Sequence, residues 1–180
     1  MVRFLKMFLE SKSDLKRRIF VIIIFFVVAT VVTFSGTIAT NVDIHEAQRV
    51  KEELEGEFQR MNDPRFILGN NLVHTLVMFT PVIGPVWGCF VLFNTGRIIA
   101  LFSIAEGIPS ILTFVLLLFS PILWLEFSVY STAMAQSVML LLHLVRRSGG
   151  REAIRTCVVI ALCTIVLLIS AFVEWFIINA

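Results

Sequence analysis

Apolar residues in this chain come in long blocks, and charge is gathered into short stretches between them. Residues 19–42 (IFVIIIFFVVATVVTFSGTIATNV) carry no charged side chain. About 20 apolar residues reach across a bilayer as a helix, and a helix bonds its backbone groups internally, as hydrocarbon demands. The pattern predicts a first span here. Residues 66–96 form a charge-free stretch of 31, too long for one straight span and too short for two full ones. Pro81 and Pro85 lie in its middle, where two prolines cannot both sit unstrained inside a helix. The reading is a second span, kinked there and ended near Arg97, or a re-entrant hairpin. Residues 107–125 and 127–145 are two further blocks, divided at Glu126, with Pro121 marking a bend or a helix start. Residues 156–178 are the last. The fold class expected is an all-α integral membrane protein: a five-helix transmembrane bundle with one interrupted span, in a single transmembrane domain over 19–180.

The polar stretches add two elements. Residues 1–18 hold Arg3, Lys6, Lys12, Lys16, Arg17 and Arg18 against Glu10 and Asp14, with Phe4, Leu5, Phe8 and Leu9 on one helical face. That predicts a basic helix in the membrane interface, its cations toward lipid headgroups. Residues 43–65 hold seven acids and four bases. Ile44, Ala47, Val50, Leu54, Phe58 and Met61 recur there at steps of three or four, the stripe of an amphipathic helix. Pairs such as Arg49–Glu53 and Lys51–Glu55 support it, and Pro64 helps to stop it. The stripe of helix 44–61 lies on the membrane, packs on the protein's own spans, or is covered by a partner; Val50, Leu54, Phe58 and Met61 are the expected partner-contact residues.

Orientation follows Lys and Arg in short loops. Six in 1–18 and four in 146–155 (Arg146, Arg147, Arg151, Arg155) predict a cytoplasmic N-terminus, an extracytoplasmic helix 44–61 and, after five crossings, an extracytoplasmic C-terminus. The cell membrane is the expected location.

Composition excludes the other classes. Hydrophobic residues make up 58% and charged residues 16%, against ~45–50% and ~25% in soluble domains. A net charge of +2 is no footprint for nucleic acid. Cys89, Cys157 and Cys163 have neither metal nor redox spacing, and an odd count argues against a disulfide framework.

Polar groups inside spans are costly and often functional. Placed by the expected topology, Asn70, Asn71, His74, Glu126 and Glu174 all fall in the outer half of the bilayer, Glu126 at the outer turn between two spans. Asn94, Arg97 and His143 fall near the inner face. The five outer groups either bond across helices and snorkel, or hold a cation or a polar substrate group. No paired His or His–Glu spacing marks a metal site, and no phosphate loop or nucleophile elbow is present. No metal, cofactor or catalytic residue is expected, and the chain is read as no enzyme. Gly84 and Gly88 form a G-x-x-x-G that permits close helix approach.

The order of an early Asn in span two, Asn94-Thr95-Gly96 after it, membrane-level Glu126 and Ala171-Phe172-Val173-Glu174 in the last span resembles the stage II sporulation protein M family of small multi-span proteins. Ser128, Ser131, Thr132, Ala133 and Ala135 supply that family's small-residue helix, while Ile122 and Leu123 stand where it carries His and Gly. The resemblance implies that Asn94 and Gly96 form an inner-side motif, that Glu126 is the motif glutamate, and that the protein acts with other membrane proteins. Two functions are therefore expected. One is a non-catalytic structural or assembly subunit of a larger membrane complex. The alternative is a component of a small-solute or ion transporter or channel, with its polar site in the outer half of the bilayer. Its partners would be the lipid bilayer and other membrane subunits or further copies of itself, and no nucleic acid.

Overall fold

The computed structural model describes the backbone of residues 2–58, 63–145 and 149–179, and side chains over 14–53, 63–145 and 152–177. Seven helices fill these residues: α1 Val2–Ala39, α2 Ile44–Phe58, α3 Pro64–Met78, α4 Ile83–Ala105, α5 Ser110–Leu118, α6 Pro121–Val145 and α7 Gly149–Asn179. Four of them contain segments long and apolar enough to cross a membrane: Asp14–Ala39, Ile83–Ala105, Pro121–Val145 and Glu152–Ile177. The chain is thus all-helical over its described residues and has the make-up of a multi-pass, membrane-embedded protein.

Contacts fix the direction of each leg. α1 and α4 run parallel: Thr37 on α1 donates to the Gly96 carbonyl on α4 at 3.2 Å, and Lys51, beyond the end of α1, pairs with Glu106 at the end of α4 at 3.1 Å. α6 runs against α1, because Trp124 stacks on Phe26 while Gln136, further along, meets Arg18. α7 starts beside Arg18 through Glu152 and carries Glu174 to the opposite half, beside Glu126. α3 descends from Asn71, level with Glu126, to the Thr80 carbonyl, which accepts from Ser137. Five legs therefore alternate in direction: α1, α3, α4, α5 with α6, and α7. We call the Arg18–Glu152 end the base.

The leg boundaries differ from those expected. Of the two forms expected for 66–96, a kinked helix or a hairpin, the backbone takes the second. It is an antiparallel helical hairpin, and its second arm continues past Arg97 to Ala105. Pro81 and Pro85 account for the break. At Val82 (φ 70°) the Ile83 N–H donates to the Pro81 carbonyl at 2.8 Å, a positive-φ γ-turn that is rare and strained for a β-branched residue. Pro85 then sits in the first turn of α4, where its missing N–H costs nothing. Conversely, 107–125 and 127–145 are not two spans. They form one leg broken at Phe119 and Ser120, with Pro121 opening α6. Phe114 of α5 meets Phe34 and Leu118 lies beside Phe26 and Thr30, so α5 descends in the same sense as α6. Glu126 is not at a turn; it lies inside α6.

The polar stretches also differ in detail. α1 is one helix, with no break between residues 18 and 19. Pro64 opens α3 as its first residue, and Asp63 caps it by accepting from the Arg65 N–H at 2.8 Å. α2 packs on α4: Ala47 is fully buried and Val50 half-buried. This part of the expected stripe is covered by the protein's own helix. The Leu54 and Phe58 side chains, and Met61 altogether, lie outside the described residues.

α6 is the central helix. Half of its apolar window is buried inside the protein, against 17% for α1 and 28% for α4 and α7. Its Phe127, Tyr130 and Met134 join Met78, Leu92 and Leu167 in one core. The α1–α4 contact is close because both helices are bare where they meet. Gly96 faces the Thr33 carbonyl and Gly36 faces the Phe93 carbonyl, so a Cβ at either would strike backbone.

Candidate functional site

A cavity of about 420 Å³ opens between α3, α4, α6 and α7. The structure brings Asn70, Asn71, His74, Glu126 and Glu174 to its wall, joined by Asn94 and Thr95 of α4 and by Tyr130 of α6. Helical spacing explains much of this. Asn70, Asn71 and His74 fall within one turn on α3; Glu126 and Tyr130 stand one turn apart on α6.

Hydrogen bonds set the polarity of the wall. Tyr130 donates through its hydroxyl to the Asn71 carboxamide oxygen at 3.1 Å. Asn71 passes this on, donating from its amide nitrogen to a Glu126 carboxylate oxygen at 2.6 Å. The Asn71 backbone carbonyl accepts from Thr75 at 2.7 Å. The relay holds Glu126 by one oxygen and leaves the second for another donor. Glu174 lines the same cavity from α7. Among the described residues no Lys or Arg lines this cavity. Phe90, Phe127 and Tyr130 are the aromatic residues of the wall, and Asn70 and Phe90 are exposed at its rim.

The Nδ1 of His74 and the Nε1 of Trp87 are buried without a hydrogen-bond partner, with their rings 5.9 Å apart. Such groups cost free energy until something pairs with them. Asn94 lines the cavity but donates to the Phe90 carbonyl at 2.8 Å, and Gly96 is spent on the α1 contact. The pair expected as an inner-side motif is therefore mid-helix, level with the carboxylates. Among the described residues no group of three or more His, Cys, Asp or Glu side chains is placed to hold a metal ion.

A second polar cluster lies at the base and was not foreseen from the sequence. Arg18 forks onto Glu152 at 2.8 and 2.7 Å, and its Nε reaches Asp14 at 3.0 Å. Gln136 donates to Glu152 at 2.7 Å and to Thr156 at 2.9 Å. Arg155 spans Asp14 at 3.0 Å and Glu152 at 3.4 Å. Glu152 is only 3% exposed and Arg18 11%. The one available sign was Gln136, a carboxamide in an apolar run. Its partners are 118, 16 and 20 residues away, and no local spacing points to them.

Comparison with known protein families, with curated proteins and with solved structures finds no match for this chain.

Proposed function

We propose that this chain is a membrane-embedded binding component for a small organic cation, serving transport or sensing of a solute with an ammonium group. The observation that carries this reading is two carboxylates facing one cavity with, among the described residues, no Lys or Arg on its wall. In a low-dielectric setting two such acids repel each other, and their charge is relieved either by a proton or by a cation between them. The cavity is far larger than a bare ion needs, and its aromatic faces suit the alkyl groups and charge of an organic ammonium. In this reading Asn71, held by Tyr130, orients Glu126; Glu174 closes the ion pair; Asn70 and His74 receive further polar groups. The site belongs to the half of the bundle away from the Lys- and Arg-rich ends of α1 and α7. By the charge rule that half is extracytoplasmic.

Titration of the purified chain in nanodiscs with butylammonium, against sodium as control, tests this. Butylammonium should bind and sodium should not. Glu126→Gln and Glu174→Gln should each weaken butylammonium by at least about tenfold, ~1.4 kcal/mol. Equal affinity in the wild type and both variants would reject the reading. Orientation has its own check: a lone cysteine at Asn179, with Cys89, Cys157 and Cys163 replaced, should label from outside intact cells.

A second reading, a subunit assembled into a larger membrane complex, draws on Arg97. This cation is exposed within the apolar segment Ile83–Ala105, and a charge in such a place calls for a partner or a headgroup. The resemblance to the stage II sporulation protein M family points the same way. Loss of a co-purifying chain on Arg97→Leu would support assembly; an unchanged native mass would favour the binding component alone.

A further inference from the structure

A second cavity, of about 330 Å³, opens at the base. One side is apolar: Leu15, Ile19 and Ile22 follow one another along α1, facing Met139 and Val159. The other side is the ion network, with Arg18, Gln136 and Arg155 on the wall. Its depth is informative. Arg18 and Arg155 directly precede the apolar runs 19–42 and 156–178, so the polar side sits where headgroups sit and the apolar side runs down toward acyl chains.

Among the described residues of the network the charges do not cancel. Arg17, Arg18 and Arg155 stand against Asp14 and Glu152. Arg18 is consumed: its Nε, NH1 and NH2 all donate within the network. The surplus therefore lies at the rim. Arg155 is half exposed and engages both acids through NH1, and the rest of its guanidinium fork matches a phosphate.

We propose that this groove holds one anionic phospholipid, its phosphate on Arg155 at the rim and an acyl chain along Leu15, Ile19 and Ile22. The apolar wall selects a lipid over a free anion. The surplus cation selects an anionic headgroup over a zwitterionic one, beyond the general attraction of basic segments for anionic leaflets.

The full chain in nanodiscs of phosphatidylcholine, with and without phosphatidylglycerol, tests this by thermal unfolding and by the lipid retained in native mass spectrometry. Phosphatidylglycerol should raise the melting temperature, with one molecule retained per chain. Arg155→Gln should remove both effects, whereas Lys16→Gln, a loss of charge at an exposed neighbour, should leave both in place. Should Arg155→Gln fail to fold, Ile19→Trp reads the same groove: it fills the apolar side, keeps every charge and should expel the retained lipid. Equal losses in Lys16→Gln and Arg155→Gln would overturn the proposal, as would retention in Ile19→Trp. So would inorganic phosphate reproducing the stabilisation in phosphatidylcholine alone.

Discussion

The two polar clusters occupy opposite halves of one bundle and solve the cost of buried charge in opposite ways. At the base each carboxylate has a cation. Glu152 takes both arms of Arg18 and a Gln136 amide, and Asp14 takes Arg17, Arg18 and Arg155. In the other half Glu126 has a carboxamide donor, shares its cavity with Glu174 and, among the described residues, has no Lys or Arg on the wall. The first arrangement binds α1, α6 and α7 to one another. The second leaves acceptors facing a void. Paired charge fixes a fold at little net gain, whereas unmatched acids in a cavity are where a ligand is expected.

The largest effect should come from breaking the paired cluster. Glu152→Ala removes the bidentate partner of Arg18, 11% exposed, leaving it Asp14, and should lower the unfolding free energy by about 3 kcal/mol. Replacing both partners, Arg18→Met with Glu152→Leu, should recover most of that loss. Unfolding by denaturant in detergent would measure both. A double variant as weak as the single one would show that the network contributes more than mutual neutralisation.

Next in size is the scaffold between the clusters. Gly96→Val drives a side chain against the Thr33 carbonyl and should destabilise by about 1–3 kcal/mol. Because Asn94 and Thr95 precede it on the cavity wall, cation binding should weaken too, while the base stays intact.

The cavity itself should separate binding from stability. Glu174→Gln keeps an amide able to hydrogen-bond and should change the melting temperature little while weakening cation binding. Glu174→Leu should do the same to binding and also loosen the contact of α7 with α3, read as a lower melting temperature. If neither substitution alters either property, Glu174 is a surface residue and the pairing with Glu126 falls away.

The smallest effect concerns the turn that joins the arms of the hairpin. Val82 holds φ 70°, and Val82→Gly should relieve strain and stabilise by about 1 kcal/mol. A lower stability would mean that the valine side chain contributes packing there.

These contrasts also explain what could be read from the chain alone. The membrane class, the amphipathic helix read at 44–61 and described over Ile44–Phe58, and the break at Pro81–Pro85 each rest on local chemistry, and the break is where the structure turns. The division expected at Glu126 does not occur, because a charge within apolar sequence marks a loop only where no partner inside the bundle receives it. Asn71 receives that charge inside the bundle, and the break falls instead at Phe119 and Ser120. The five outer residues could be named because each is a rare polar side chain in an apolar run, and the structure brings all five to one cavity. The base could not, because Arg18, Gln136 and Glu152 meet across long sequence separations, and Glu152 lies in an arginine-rich stretch that reads as an ordinary loop.

The central claim is that only the acids without a matching cation form a binding site. Butylammonium affinity measured side by side in Glu126→Gln, Glu174→Gln and Glu152→Gln, each at a temperature where it is folded, tests it most directly. The first two should lose at least about tenfold in affinity, and the third should bind like the wild type despite its lower stability. Equal loss in all three, or loss in Glu152→Gln alone, would contradict the account.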